Sequence, residues 1–501
     1  MRTRVSWFAL STLVLVTTLL LVACGGGDSE SEREHARGLE LALAGDDDDA
    51  ILAFDAAIDA DPNFAPAYSD RGESHRRRGN LDQALADFDR ALELDSDLTI
   101  TYANRALTYL QLRNPEAALE DAERALNLEP DFPTALAVRG FAQLELGNSA
   151  RALADFNRAL ELAPDFPVAY DGRARVHIAN GALTAALDDV NAALELDHTL
   201  AVAYVTRGEI QRLRGDTSAA LDDLDRAIEL DPNNVDAYGE RALTNLERDR
   251  PELTLDDADR VIAINPNVPA AYVARGLAHA ALGDFKTAVA DFSNAIELEP
   301  SDATHFFNRG LAHSRIDEHE EAIADFTQSI AIGTVANRKF SDSEAYLERG
   351  ISHGRLLQHE LAITDFSRVI ELSPEEPLAF FNRGVAHGFL GNNASALADL
   401  DRAIELDPAS ASAYLERGIR LGSTGDPNGA LADFNRALEL DPTSATVYFN
   451  RGVANAALGN PNAALDDWEL SIEFSNDPAL EDAIRALVEQ LIVTLGQSQT
   501  S

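Results

Sequence analysis

Apolar residues in this chain fall at helical spacing in two short runs, and the pair of runs returns about every 34 residues. In 411–444 the first run carries Tyr414, Leu415, Gly418, Ile419 and Leu421 on one helical face. The second run, 430–440, is rich in alanine and leucine and predicts a second helix packed back antiparallel. Nine units have a glycine where the first run stops, as at Gly147, Gly283 and Gly425. Glycine suits the left-handed residue that closes a helix, and an Asn or Asp commonly follows to start the turn. Nine units have a proline after the second run, among them Pro62, Pro232 and Pro442, because proline cannot continue a helix. The pattern predicts thirteen helix pairs, starting at Ser31, Ala65, Thr99, Pro133, Pro167, Ala201, Val235, Pro269, Ala303, Ser343, Pro377, Ala411 and Ala445.

Numbering each unit from its first residue exposes the contacts the pairs require. Position 8 is glycine in ten units (Gly72, Gly140 and Gly384 among them) and alanine in the other three. Position 20 is alanine in twelve, with Thr254 the exception. Small residues at both places let two backbones approach closely, and position 24 (Phe88, Phe156, Phe326, Trp468) supplies the bulk that fills the space between hairpins. This Gly, Ala, aromatic and Pro spacing resembles the tetratricopeptide repeat, over 31–478. The resemblance implies an all-α fold: an α-α solenoid, a right-handed superhelix of antiparallel hairpins with one continuous core. It also implies a protein that holds partners rather than transforms them.

The sequence departs from the family at several positions. The usual tryptophan at position 4 is Tyr or Phe here (Tyr68, Tyr204, Phe306, Tyr448). Position 7 is arginine in all thirteen units, and position 23 is aspartate in twelve. Antiparallel pairing brings 7 within reach of 23, so each hairpin is expected to carry an ion pair, such as Arg207 with Asp223 and Arg417 with Asp433, the planar guanidinium holding the carboxylate. A pair repeated in every unit is scaffold, not a ligand site. Acid doublets such as Asp188–Asp189, Asp222–Asp223 and Asp466–Asp467 are expected to face water.

The ends and one interruption differ from the rest. Arg2 and Arg4 precede an apolar run from Val5 to Val22, followed by Leu21-Val22-Ala23-Cys24. This reads as an export signal, 1–23. Its last four residues resemble the bacterial lipobox, which implies a lipid on Cys24, the chain's one cysteine. An uncleaved anchor is the rival reading, since this 18-residue run just spans a bilayer. Either way the stack is expected outside the cytoplasm, on a short tether, 24–30, at a cell membrane or outer membrane. Between units nine and ten the phase slips by six residues within 333–342, which contains Arg338 and Lys339. Insertions in repeat arrays form loops on one face, here a hinge or a contact loop. A final apolar helix, 479–495, is expected to cap the stack, with a loose tail, 496–501.

Charge changes the picture more than composition does. Lys and Arg number 41 against 85 Asp and Glu, a net of −44. Such a surface repels nucleic acid and anionic head groups and keeps a long stack soluble. No glycine-rich phosphate loop, nucleophile elbow or Glu-flanked histidine pair appears, so no catalytic residue and no cofactor is expected. Six of the eleven histidines share position 11: His75, His177, His279, His313, His353 and His387. Neighbouring first helices stand about 8–10 Å apart, too far to share one metal with bonds near 2 Å. These histidines are expected as polar tips inside their hairpins, and no metal site is expected.

In the family this chain resembles, first helices line the concave face, and positions 2, 5, 9, 12 and 13 meet the ligand. Units two to seven carry mixed and charged residues there, including Glu73, Arg76, Asp171, Arg175, Glu209, Arg212 and Glu247. From unit nine onward positions 5 and 9 turn apolar, with Phe307, Leu347, Phe381, Leu415 and Phe449 at position 5. Phe389 and Arg355 lie on the same face, and small residues at position 12, such as Gly388, leave room. This stripe is expected either to grip an apolar extended or helical segment or to pack between repeats. The Lys-and-Asn clamp that some family members use for a terminal carboxylate is absent. The expected function is a lipid-anchored envelope scaffold for protein or peptide partners. Its rivals are an envelope receptor for a peptide or other small ligand and a non-catalytic adaptor of an envelope enzyme.

Overall fold

The computed structural model describes residues 29–335 and 342–498. Cys24, Arg338 and Lys339 lie outside them. The described residues form twenty-seven helices and no strand. They pair into antiparallel hairpins with the expected phase, for example Ala201–Leu213 with Thr217–Leu230 and Ala411–Ser423 with Pro427–Leu440. The chain divides into two compact units, 1–278 and 279–501. Within each, consecutive hairpins pack on one another. No helix among the described residues is long and apolar enough to cross a membrane.

Local chemistry explains why each hairpin closes where it does. A Cβ added at Gly72 would stand 2.8 Å from the Phe88 ring, and one at Gly310 equally close to Phe326. Position 8 is therefore glycine because position 24 lies flat against it. The turn after every first helix places position 15 in the left-handed region. Nine units have glycine there, but Arg113, Asp249, Asp317 and Leu357 adopt the same conformation at φ 55–60°, where a side chain costs about 1–2 kcal/mol.

The six-residue insertion is partly helical. His319–Val335 has 17 residues where its equivalents have 14, so residues 333–335 extend the second helix of repeat nine. The C-terminal helix, Pro478–Ser498, packs on Pro461–Phe474 and buries Ile484 beside Trp468. At the other end, Ser29 caps Glu30–Leu43 through a reciprocal bond with Glu32.

Candidate binding face on the first helices

The Arg–Asp pairs form, and they do more than close a hairpin. Arg207 Nε and Nη2 donate to the two carboxylate oxygens of Asp223 at 2.7 Å each, and Arg417 holds Asp433 in the same way. The third guanidinium nitrogen reaches the preceding repeat: Arg207 Nη1 donates to Asn191 at 3.1 Å and Arg417 Nη1 to Asp401 at 2.7 Å. Tyr204 lies under the same guanidinium, 5.4 Å from ring centre to Cζ. Asp223 raises the pKa of Arg207 by hydrogen bonding, against a smaller opposing effect of burial. Arg71, Arg207 and Arg417, among others, thus bolt two helices of their own repeat to one of the repeat before. The preceding partner sits at position 25, which is Asp, Glu, Asn, Ser or Thr in every unit. That run of hydrogen-bond acceptors was the available signal for the third bond.

Two expectations need correction or refinement here. Asp189, Asp223 and Asp467 are buried against their arginines rather than facing water, and only the first member of each doublet, Asp188, Asp222 and Asp466, is exposed. Five of the six position-11 histidines turn toward the aspartate of their own hairpin, as where His177 Nε2 lies 3.6 Å from Asp189 and His353 Nε2 3.8 Å from Asp365. Asn455 occupies position 11 in the last repeat and donates to Asp467 at 2.9 Å. In these repeats position 11 makes a second contact to the clamp aspartate.

The first helices of repeats five to seven carry charges that do not repeat. Arg175 is buried on Pro167–Ala179, with Nε 2.8 Å from Asp171, which is 1 % exposed. On Ala201–Leu213, Arg212 bonds Glu240 at 3.1 Å and Glu247 at 2.7 Å, both on Val235–Glu247. Glu209 stands among these groups. Burial, and then the neighbouring Glu240, push its pKa up to about 7, while Arg175 and Arg212 pull the other way. Glu240 is raised as well, by burial first. With Asp236, which acts on both Arg175 and Glu240, five carboxylates face two guanidiniums. The sequence showed these charges but not their convergence, which depends on three adjacent first helices.

In unit two the predicted stripe is half-buried. Leu347 and Leu415 pack against the Phe366 and Phe434 clusters, and Phe449 lies beside Trp468. Phe307 tilts against Phe326, with centroids 5.8 Å apart. Phe381 is half-buried. Phe389 is 66 % exposed, stacked on His359 at 4.8 Å, and Arg355 is exposed. Gly388 does not leave open room: Arg420 fills the space above it and donates to its carbonyl at 3.2 Å. Burial raises the pKa of Glu348 and Glu416, which share position 6 with Glu240.

Models described as tetratricopeptide repeat match 65–98, 104–167, 142–200, 206–269, 240–305 and 347–411, and one described as TPR repeat matches 420–459. The chain belongs to the tetratricopeptide repeat family. No curated protein matches it. Among solved structures it is similar to that of the APC/C hetero-tetramer Cut9–Hcn1, with TM-score 0.51 and 15 % identity over 96 % of this chain and 99 % of that one. A tetratricopeptide repeat protein from Parabacteroides merdae matches at TM-score 0.41 and 22 % identity, over 50 % of this chain and 99 % of that one. The Cut9–Hcn1 likeness is one of fold. This repeat fold is typical of proteins that mediate protein–protein contacts.

Proposed function

We propose that this tetratricopeptide repeat chain is an extracytoplasmic scaffold, held to a bacterial membrane by a lipid on Cys24, that seats protein or peptide partners on its first helices. The anchor rests on the Arg2 and Arg4 start, the apolar run and the Leu21-Val22-Ala23-Cys24 ending. Partner binding rests on one observation above the rest: on the first helices of repeats five to seven, charges that do not repeat gather around Glu209. Arginines at position 7 are consumed by the scaffold, whereas Asp171, Glu209, Asp236, Glu240 and Glu247 outnumber Arg175 and Arg212. An arginine or lysine from a partner completes that balance. The exposed Phe389 and half-buried Phe381 suit an apolar segment.

The test is crosslinked capture from membranes at pH 8, where Glu209 is ionised, comparing the wild-type chain with Glu209→Gln and with Glu229→Gln. Glu229 is exposed on a second helix and pairs only with Arg226 within its own helix, so the change in charge is the same. Partners are lost from the first variant and kept by the second. Identical capture by all three chains overturns the assignment of this face.

A further inference from the structure

His305 breaks the repeat pattern. Position 3 is alanine in most units, and those alanines are buried, as at Ala67, Ala203, Ala237, Ala379 and Ala413. Repeat nine places an imidazole there, 6 % exposed, and neither ring nitrogen has a hydrogen-bond partner. A buried polar ring without partners is costly, because the groups lost their water and gained nothing in exchange. Such a residue calls for something to bind it.

Two carboxylates stand where that partner would sit. Glu299 and Asp302 belong to the short turn between Phe285–Leu298 and Ala303–Arg315. Glu299 Oε2 is 3.8 Å from His305 Nε2. One donor atom from each of the three residues lies within 4.8 Å of the other two. Asp302 is already fixed, accepting the Thr304 amide at 2.8 Å as the cap of the following helix. Donors around a tetrahedral zinc stand about 3.3 Å apart for bonds near 2.0–2.2 Å. The three groups therefore need to close by up to about 1.5 Å, to which the exposed Glu299 side chain contributes by changing rotamer.

We propose that Glu299, Asp302 and His305 bind a single divalent transition-metal cation, zinc by preference, at the turn into the first helix of repeat nine. One imidazole with two carboxylates suits zinc better than calcium or magnesium, which take oxygen ligands. Water completes the coordination. The ion locks the turn to the helix it precedes, and the strongly acidic chain around it favours a cation.

The repeat supplies its own control. His305→Ala restores the residue most units carry at position 3, so it leaves the fold intact. Asp302→Asn keeps an oxygen to cap the helix and removes the charge. The purified mature chain, stripped with chelator, is titrated with zinc chloride against a competing fluorescent indicator at pH 7.5. The wild-type chain takes up one equivalent that His305→Ala lacks, and Asp302→Asn binds it at least tenfold more weakly. Calcium chloride does not compete at equal concentration. Equal zinc stoichiometry and affinity in wild type and His305→Ala overturn the site, and so does the absence of any tight equivalent in the wild-type chain.

Discussion

Arg207 and Asp223 meet fork to fork across one hairpin, with two bonds of 2.7 Å, while the remaining arm of the arginine holds Asn191 of the previous repeat. The solenoid is stitched by this contact as much as by apolar packing. Stability in such arrays is nearly a sum over neighbours, so damage at one bolt is felt locally.

Replacing Asp223 with alanine leaves a guanidinium whose side chain is 25 % exposed without its main partner. Loss of a paired charge at a half-buried site costs about 2–3 kcal/mol. Amide exchange in 201–230 is expected to accelerate accordingly while 411–440 keeps its protection. Arg207→Lys tests the fork: it preserves charge and is still expected to lose protection, because an ammonium cannot make the bidentate pair and reach Asn191 as well.

The left-handed turn at position 15 gives a prediction of opposite sign. Leu357 adopts φ 58° and is 73 % exposed. Leu357→Gly removes about 1–2 kcal/mol of backbone strain and adds roughly 0.5–1 kcal/mol of unfolded-state entropy. A net gain of about 0.5–1 kcal/mol is expected in urea titration monitored by circular dichroism. Gly147→Leu at the equivalent turn, φ 80°, is expected to lose stability by a similar amount.

Glu209 links the binding face to pH. Its pKa is raised to about 7 from 4.5, so the folded chain favours the protonated acid. Its contribution to stability is full below pH 4.5 and is lost as pH rises through 7. Glu209→Gln removes that dependence. The variant is expected to match the wild-type chain at pH 4.5 and to melt higher at pH 8. A constant difference between the two chains across that range contradicts the assignment.

Phe381 and Phe389 lie in one first helix, Pro377–Phe389. Phe449 packs beside Trp468 and the C-terminal helix, so its removal disturbs packing and reports on binding poorly. Phe381→Ala with Phe389→Ala is expected to keep helicity, measured at 222 nm, and to lose capture of an apolar peptide segment. Unchanged capture places the stripe within the inter-repeat packing.

Much of the architecture was legible because repetition averages out local ambiguity. Glycine at position 8 and the ring at position 24 appear together in unit after unit, and their contact follows from size alone. Arginine at 7 and aspartate at 23 were readable for the same reason. What the sequence could not place were features that occur once. The convergence of Asp171, Glu209 and Glu240 needs three first helices side by side. The unsatisfied ring of His305 needs its burial to be known. The filling of the space above Gly388 by Arg420 needs a long side chain traced across a repeat boundary. Periodicity speaks for the average unit, and function resides in the departures from it.

The proposed role puts partners on the first helices. The most direct measurement introduces a photo-crosslinking residue at the exposed first-helix positions Leu213 or Leu378, leaving Glu209 and Phe381 in place, and in separate chains at Glu161 or Glu405 on exposed second-helix surfaces, followed by irradiation in intact membranes. Partner crosslinks are expected at Leu213 and Leu378 and not at Glu161 and Glu405. Crosslinks of equal yield on both faces, or on the second helices alone, contradict the account.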